Sequence, residues 1–202
     1  IFYLTAKTIT RTVAEETYRL LMERGLQFKF VTLTARDKIC IFDEARCNPK
    51  QCERAKGHYD RVNAAVFDMI THETAMSREV IEAYAGKHCV CPFEMQLDAA
   101  LWVDGLICDY NYVFDPNVYL RRFFGESFDG GPKGDDIFLV DEAHNLVERA
   151  REMYSAILLL SKLKDVRQAV KSYNAKLAQK ISKCIKYMET LKSECTKTQK
   201  LD

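Results

Sequence analysis

The fold is decided by residues 1–33, IFYLTAKTITRTVAEETYRLLMERGLQFKFVTL. Residues 1–5 cluster apolar side chains like a buried strand. A helix is expected next, with Val13, Thr17, Leu20 and Leu21 on one face and Thr12 with Glu15 as a capping box. Arg24-Gly25 supplies its end, and Phe28 to Leu33 returns as a second strand. Strand, helix, strand is the pattern of a parallel α/β sheet.

Working outward, the pattern changes at Ala35. From there to Pro92 two helices are expected among loops, with no sheet strand. One carries Val62, Val66, Met69 and Ile70 on a face. The other starts at Ser77, packs Val80, Ile81 and Tyr84, and stops at Gly86. This reads as an insertion. The α/β pattern resumes with a helix near 93–103 and a strand at Leu106-Ile107-Cys108. After a turn at Asp115-Pro116 comes a helical stretch, then the Gly-rich loop 129–134 and a core strand, Ile137-Phe138-Leu139-Val140. From Leu163 to Leu191 apolar residues recur at three/four spacing between lysines, as in one long amphipathic helix or a helical hairpin. The expected divisions are therefore 1–34, 35–92, 93–150 and 151–202.

Apolar residues make up 48% of the 202 positions and the net charge is +1. That composition fits a folded chain and excludes a disordered one. It provides no overall positive field to attract phosphates, so a nucleic-acid partner needs local basic patches. No run approaches the roughly 20 apolar residues of a membrane span. The opening lacks a signal peptide and an initiator Met, and suggests a piece of something longer. Eight cysteines without a secretion signal point to reduced thiols in a cytoplasmic compartment, some of them holding a metal.

Two constellations carry chemistry. The apolar strand ending at Asp141-Glu142-Ala143-His144 has the Walker B form: one acid for hydrated Mg²⁺, the next to polarise an attacking water. The plainer reading is that Glu142 opens the next helix, where an acid suits the helix dipole. The matching phosphate loop is not found, since Gly130-Gly131-Pro132-Lys133-Gly134 lacks its spacing. ATP hydrolysis by this chain alone is therefore not expected.

The second constellation is Cys40, Cys47 and Cys52, followed by Cys89 and Cys91. The wide gaps between the first three suit a larger cluster better than a zinc knuckle. Spacing alone still leaves iron–sulfur, zinc and unrelated reduced thiols open. Arg36, Lys38, Arg46, Lys50, Arg54 and Lys56 make the insertion locally basic, and Tyr110 and Tyr112 offer rings for base stacking. A solvated face and ordinary packing are the alternatives for these residues.

Taken in order, these pieces resemble the first helicase domain of the XPD/DinG iron–sulfur helicases of superfamily 2. Ile1-Phe2-Tyr3-Leu4-Thr5-Ala6-Lys7-Thr8 looks like motif Ia, and Thr34 to Cys40 like the basic lead-in to the first cluster cysteine. Cys91-Pro92-Phe93-Glu94 looks like the segment of the last ligand. Asp109 to Pro116 looks like the aromatic return to the sheet, and Leu139 to Asn145 like the DEAH box.

The resemblance implies a partial parallel-sheet motor domain, a mainly helical iron–sulfur insertion, and a helical C-terminal segment that begins an arch domain. It implies a 4Fe–4S cluster on Cys40, Cys47, Cys52 and Cys91, with Cys89 as the alternative fourth ligand. Asp141 would carry Mg²⁺, Glu142 activate water, and His144 couple nucleotide to DNA. Lys7, Thr8, Arg36, Lys38, Tyr110 and Tyr112 would contact DNA. The implied activity is ATP-dependent 5′-to-3′ translocation on single-stranded or forked DNA by a parent protein. That parent is expected to be cytoplasmic (nucleoid-associated in a bacterium) and monomeric. A non-enzymatic, metal-stabilised DNA-binding module is the competing expectation.

Overall fold

A computed structural model describes residues 1–6, 8–44, 47–124 and 135–195, with Thr8 described at the backbone only. In chain order these residues form β1 (Phe2–Leu4), α1 (Thr8–Glu23), β2 (Phe30–Thr32) and α2 (Arg36–Ile39). Next come α3 (His58–His72), β3 (Ala75–Met76), α4 (Arg78–Lys87), α5 (Pro92–Ala99) and a 3₁₀ turn at Ala100–Trp102. β4 (Gly105–Cys108), α6 (Asn111–Phe114), α7 (Arg121–Phe124) and β5 (Phe138–Val140) follow. A second 3₁₀ turn at Ala143–Asn145 leads into α8 (Leu146–Met153), and α9 (Leu160–Val170) and α10 (Ala175–Glu194) complete the order.

The sheet is parallel, in the order β3-β2-β4-β1-β5. Central β4 is buried along its whole length, as a strand covered on both faces must be. Gly105 opens it because a Cβ there would stand 2.6 Å from Phe28 Cζ. Phe2 of β1 stacks on Phe138 of β5 at 5.1 Å and meets Phe123 of α7 edge-on at 5.4 Å, which ties the DEAH strand to the core.

The expected parallel α/β sheet is present, with several corrections. The strand expected over 28–33 narrows to Phe30–Thr32. A further strand, β3, lies inside the segment read as strandless; two residues with weak periodicity are too short to register. The buried face of α1 is Ala14 and Tyr18, whereas Val13, Thr17, Leu20 and Leu21 are exposed. Tyr18 fixes that rotation by packing on Phe28 and Phe30 at 4.9 and 5.3 Å. Thr12 lies inside the helix, which already starts at Thr8, so no capping box forms; Glu15 instead receives the Thr32 hydroxyl. Among the described residues β5 pairs with β1 alone, and its Phe138 and Leu139 are 40% and 45% exposed.

The chain divides into two compact units, 1–154 and 155–202. In the first, Val62, Val66 and Met69 of α3 and Ile81 and Ala85 of α4 share one hydrophobic cluster with Phe2, Leu4 and Val31. The 35–92 segment is thus packed on the sheet's own core. In the second unit α9 and α10 pack on each other, with Val170, Ala178 and Ile185 buried and a Lys164–Glu189 ion pair at 2.6 Å. Asn174 caps α10 by accepting from Leu177 N–H at 3.0 Å. The expected apolar stripe is interrupted there: Val166, Tyr173, Leu177 and Cys184 are exposed. Among the described residues no helix is long and apolar enough to cross a membrane.

Candidate functional site

A parallel sheet delivers every strand's carboxyl end to the same side, where open α/β folds place their ligand sites. Thr5, Thr34, Asp109 and Asp141 all lie just beyond such ends.

Asp141 follows β5 directly. Its N–H donates to Leu4 O at 2.9 Å, its carbonyl accepts from the Tyr110 hydroxyl, and Thr5 Oγ1 donates to its Oδ2 at 3.4 Å. Asp141 is therefore held by two segments, the end of β1 and Tyr110 beyond β4, with Thr5 touching the carboxylate itself. Glu142 takes a left-handed conformation, φ 50° and ψ 42°, that a side chain larger than glycine seldom adopts. Asn145 N–H closes the turn onto Glu142 O at 2.9 Å, and His144 Nε2 lies 3.3 Å from Glu142 Oε2.

Tyr110 is fully buried, so its ring is not available to stack a base. Its role is to hold the DEAH turn, a correction to the DNA-contact expectation; the aromatic stretch alone did not separate buried from open rings. Tyr112 is half-buried and lines a groove of about 820 Å³ with Arg36, Lys38, Asn117 and Arg121. Burial pushes its phenol up to about 12. Arg36 and Lys38 are exposed, and the Arg36 guanidinium sits 4.7 Å from the centre of the Phe93 ring. Lys7, the Thr8 side chain, Arg46 and the loop glycines Gly130, Gly131 and Gly134 fall outside the described residues.

The second feature is a cavity of about 220 Å³ lined by Cys40, Cys47, Cys52 and Cys91, together with His58 and Phe93. Four cysteines spread over 52 sequence positions thus face one space, while Cys89 is absent from its lining. Cys40 terminates α2, its N–H bonded to Arg36 O at 2.9 Å. Cys91 is the N-cap residue of α5, with Pro92 at the first helical position. Burial pushes the Cys91 thiol up, and the backbone N–H groups of Phe93 and Glu94 act against that rise. Cys108, the last residue of β4, is pushed up to about 12 by burial and is an inert core thiol. Among the described residues no group of three or more His, Cys, Asp or Glu stands where a single metal ion could be held. The cavity greatly exceeds the roughly 10–15 Å³ that one water needs. Its size and four-thiol lining fit a polyatomic thiolate-bound group.

Three residues missed in the sequence organise this region: His58 lines the cavity, and Arg61 and Gln96 brace the backbone around it. Arg61 donates from Nη2 to Lys56 O at 2.8 Å and Cys89 O at 2.6 Å, and from Nε to His88 O at 3.1 Å. It thereby ties the turn after Cys52 to the segment before Cys91. Gln96 bonds the backbone of Thr34 and so joins α5 to the end of β2. His58, only 4% exposed, accepts the Cys91 N–H on Nδ1 at 3.3 Å. Burial lowers its basicity; Glu94 opposes this and Arg61 adds to it. Apart from Arg61 to Lys56, their contact partners lie 27 to 62 residues away, beyond the reach of local periodicity. Gly57-His58 after Cys52 was the one local signal on offer.

Comparison with known proteins gives two findings. The family model described as DEAD_2 matches residues 4–163. The chain is also similar to the Regulator of telomere elongation helicase 1 homolog of Culex quinquefasciatus, at 29% identity over 137 residues. That match covers 62% of this chain and 13% of the mosquito protein, so the chain spans a small part of its relative's length.

Proposed function

The chain belongs to the DEAD_2 family, a family of helicases, and from that premise we propose that it is an internal part of an ATP-dependent DNA helicase of the XPD/DinG type, translocating 5′ to 3′ on single-stranded DNA. The observation that carries this reading is the acid pair Asp141-Glu142 at the carboxyl end of β5, bonded to the end of β1 through Leu4 and Thr5.

In this reading Asp141 would hold the hydrated Mg²⁺ of the nucleotide, and Glu142 would take the proton of the attacking water. His144, 3.3 Å from Glu142, links that carboxylate to the chain's DNA-facing surface. The single strand runs along the groove bearing Arg36 and Lys38, where phosphates meet the cations and a base meets Tyr112. Lys7 and Thr8 extend that path.

Cys40, Cys47, Cys52 and Cys91 would hold a 4Fe–4S cluster, which when bound would supply a thiolate-linked staple across the 35–92 segment. Arg61 and Gln96 fix the backbone before Cys91 and the helix that Cys91 caps. The packing of the 35–92 segment on the sheet's own core supports a structural role for the centre in this reading.

The test is DNA-stimulated ATP hydrolysis by the complete parent protein, with unwinding of duplexes carrying 5′ or 3′ tails. Glu142→Gln is expected to bind ATP and to lose turnover by about 100-fold or more. Robust hydrolysis by that variant would remove the assignment. ATP-independent DNA binding with no turnover in the wild type would favour a non-enzymatic metal-stabilised module instead.

A further inference from the structure

His58 opens α3 and stands in the wall of the four-cysteine cavity. Its Nδ1 accepts the backbone N–H of Cys91 at 3.3 Å. A peptide N–H can only donate, so Nδ1 carries no proton and the neutral ring carries its proton on Nε2. Nε2 is buried and has no hydrogen-bond partner. A buried N–H left without an acceptor is rare in folded proteins, because its lost hydration is not replaced. The cavity that His58 lines carries four cysteines and Glu94, and Nε2 makes no hydrogen bond to the Glu94 carboxylate.

We propose that the His58 Nε2–H donates a hydrogen bond to a sulfur of the iron–sulfur centre held by Cys40, Cys47, Cys52 and Cys91. This rests on the cluster reading above. The same tautomer argument excludes His58 as a ligand: binding iron through Nε2 would move the proton to Nδ1, against the Cys91 N–H. The bond ties α3 to the centre and, through Nδ1, to the very backbone that carries Cys91. Hydrogen bonds to cluster sulfurs favour the more negative, reduced form and so raise the reduction potential.

The experiment uses the whole 202-residue chain, loaded with ferrous iron and sulfide without oxygen. Wild type should take up about four of each. Pulsed EPR of its reduced centre should show one weakly coupled exchangeable proton and a weak nitrogen coupling. His58→Phe should load equally and shift the reduced-to-oxidised equilibrium about tenfold toward oxidised, about 59 mV for a one-electron couple. His58→Gln, which restores an N–H donor, should recover part of that shift.

An unchanged potential in fully loaded His58→Phe overturns the proposal. So does a strong nitrogen coupling in wild type, which marks a directly bound histidine. If both variants fail to load while wild type loads, the wild-type EPR spectrum decides between donor and ligand. Wild type that takes up zinc without sulfide defeats the cluster reading itself, and the donor role with it.

Discussion

The side-chain amide of Gln96 and the backbone of Thr34 form a closed pair: Thr34 N–H donates to Gln96 Oε1 at 2.9 Å, and Gln96 Nε2 donates to Thr34 O at 2.7 Å. Gln96 is fully buried. Thr34 is where the chain leaves β2 for the cysteine-bearing segment, and Gln96 lies one turn into the helix that Cys91 caps. One polar side chain therefore locks both ends of an excursion of some 60 residues onto the sheet.

Gln96→Leu fills similar space but leaves the Thr34 N–H without its acceptor, and leaves Thr34 O with only the long bond from the Tyr112 hydroxyl at 3.5 Å. A loss of roughly 1–3 kcal/mol of stability is expected from the orphaned N–H. Urea unfolding of the whole chain measures it. A loss below about 1 kcal/mol would mean that the two backbone groups find other partners.

Gly57 precedes α3 at φ +67°, and a Cβ there would meet Arg61 Nη1 at 2.7 Å. Gly57→Ala should cost about 1–2 kcal/mol from the left-handed backbone alone. It should also displace Arg61 from the carbonyls of Lys56 and Cys89. Faster hydrogen exchange across residues 52–58 and 88–91 is the expected signature. Unchanged exchange there would show that Arg61 is not the clamp.

Cys91 lines the four-thiol cavity, whereas Cys89 sits at φ 51° with its carbonyl held by Arg61. Cys91→Ser and Cys47→Ser should each lower iron after anaerobic loading, while Cys89→Ser should retain it. Equal iron loss from Cys89→Ser and retention by Cys91→Ser would reverse the ligand assignment.

Asp68 accepts from Lys87 and His88, which lower its carboxyl from an ordinary 3.8 to about 2. A carboxylate with a depressed folded-state value stabilises the fold above its unfolded value and loses that contribution as pH falls toward about 2. Asp68→Asn should therefore flatten the fall in stability between about pH 4 and pH 2. NMR titration of the Asp68 carboxyl provides the direct check, and an unshifted midpoint would refute the pairing.

The parallel sheet was legible because residues 1–33 state it locally: apolar strand, helix, apolar strand. The acid pair at 141–142 and the cysteines at 40, 47, 52 and 91 were legible as residue types in order along the chain. The rotation of α1 was not, since Val13, Leu20 and Leu21 look as apolar as Ala14 and Tyr18, and only Phe28 and Phe30 decide which stripe is covered. Tyr110 and Tyr112 read alike as well. Burial separates them, one beneath Asp141 and one in the groove.

The sequence by itself determined the fold class and the order of the chemical groups, because hydrophobic periodicity and motif spacing are local and survive without the rest of the chain. Only the tertiary structure brought Cys91 to the cavity that the earlier cysteines line and left Cys89 outside that lining. It also placed His58 in the same lining, with Arg61 and Gln96 bracing the backbone around it. Each of those outcomes depends on hydrogen bonds and contacts across long sequence separations. A buried polar group must find its partner wherever packing brings one, and that place is not written in the neighbouring residues.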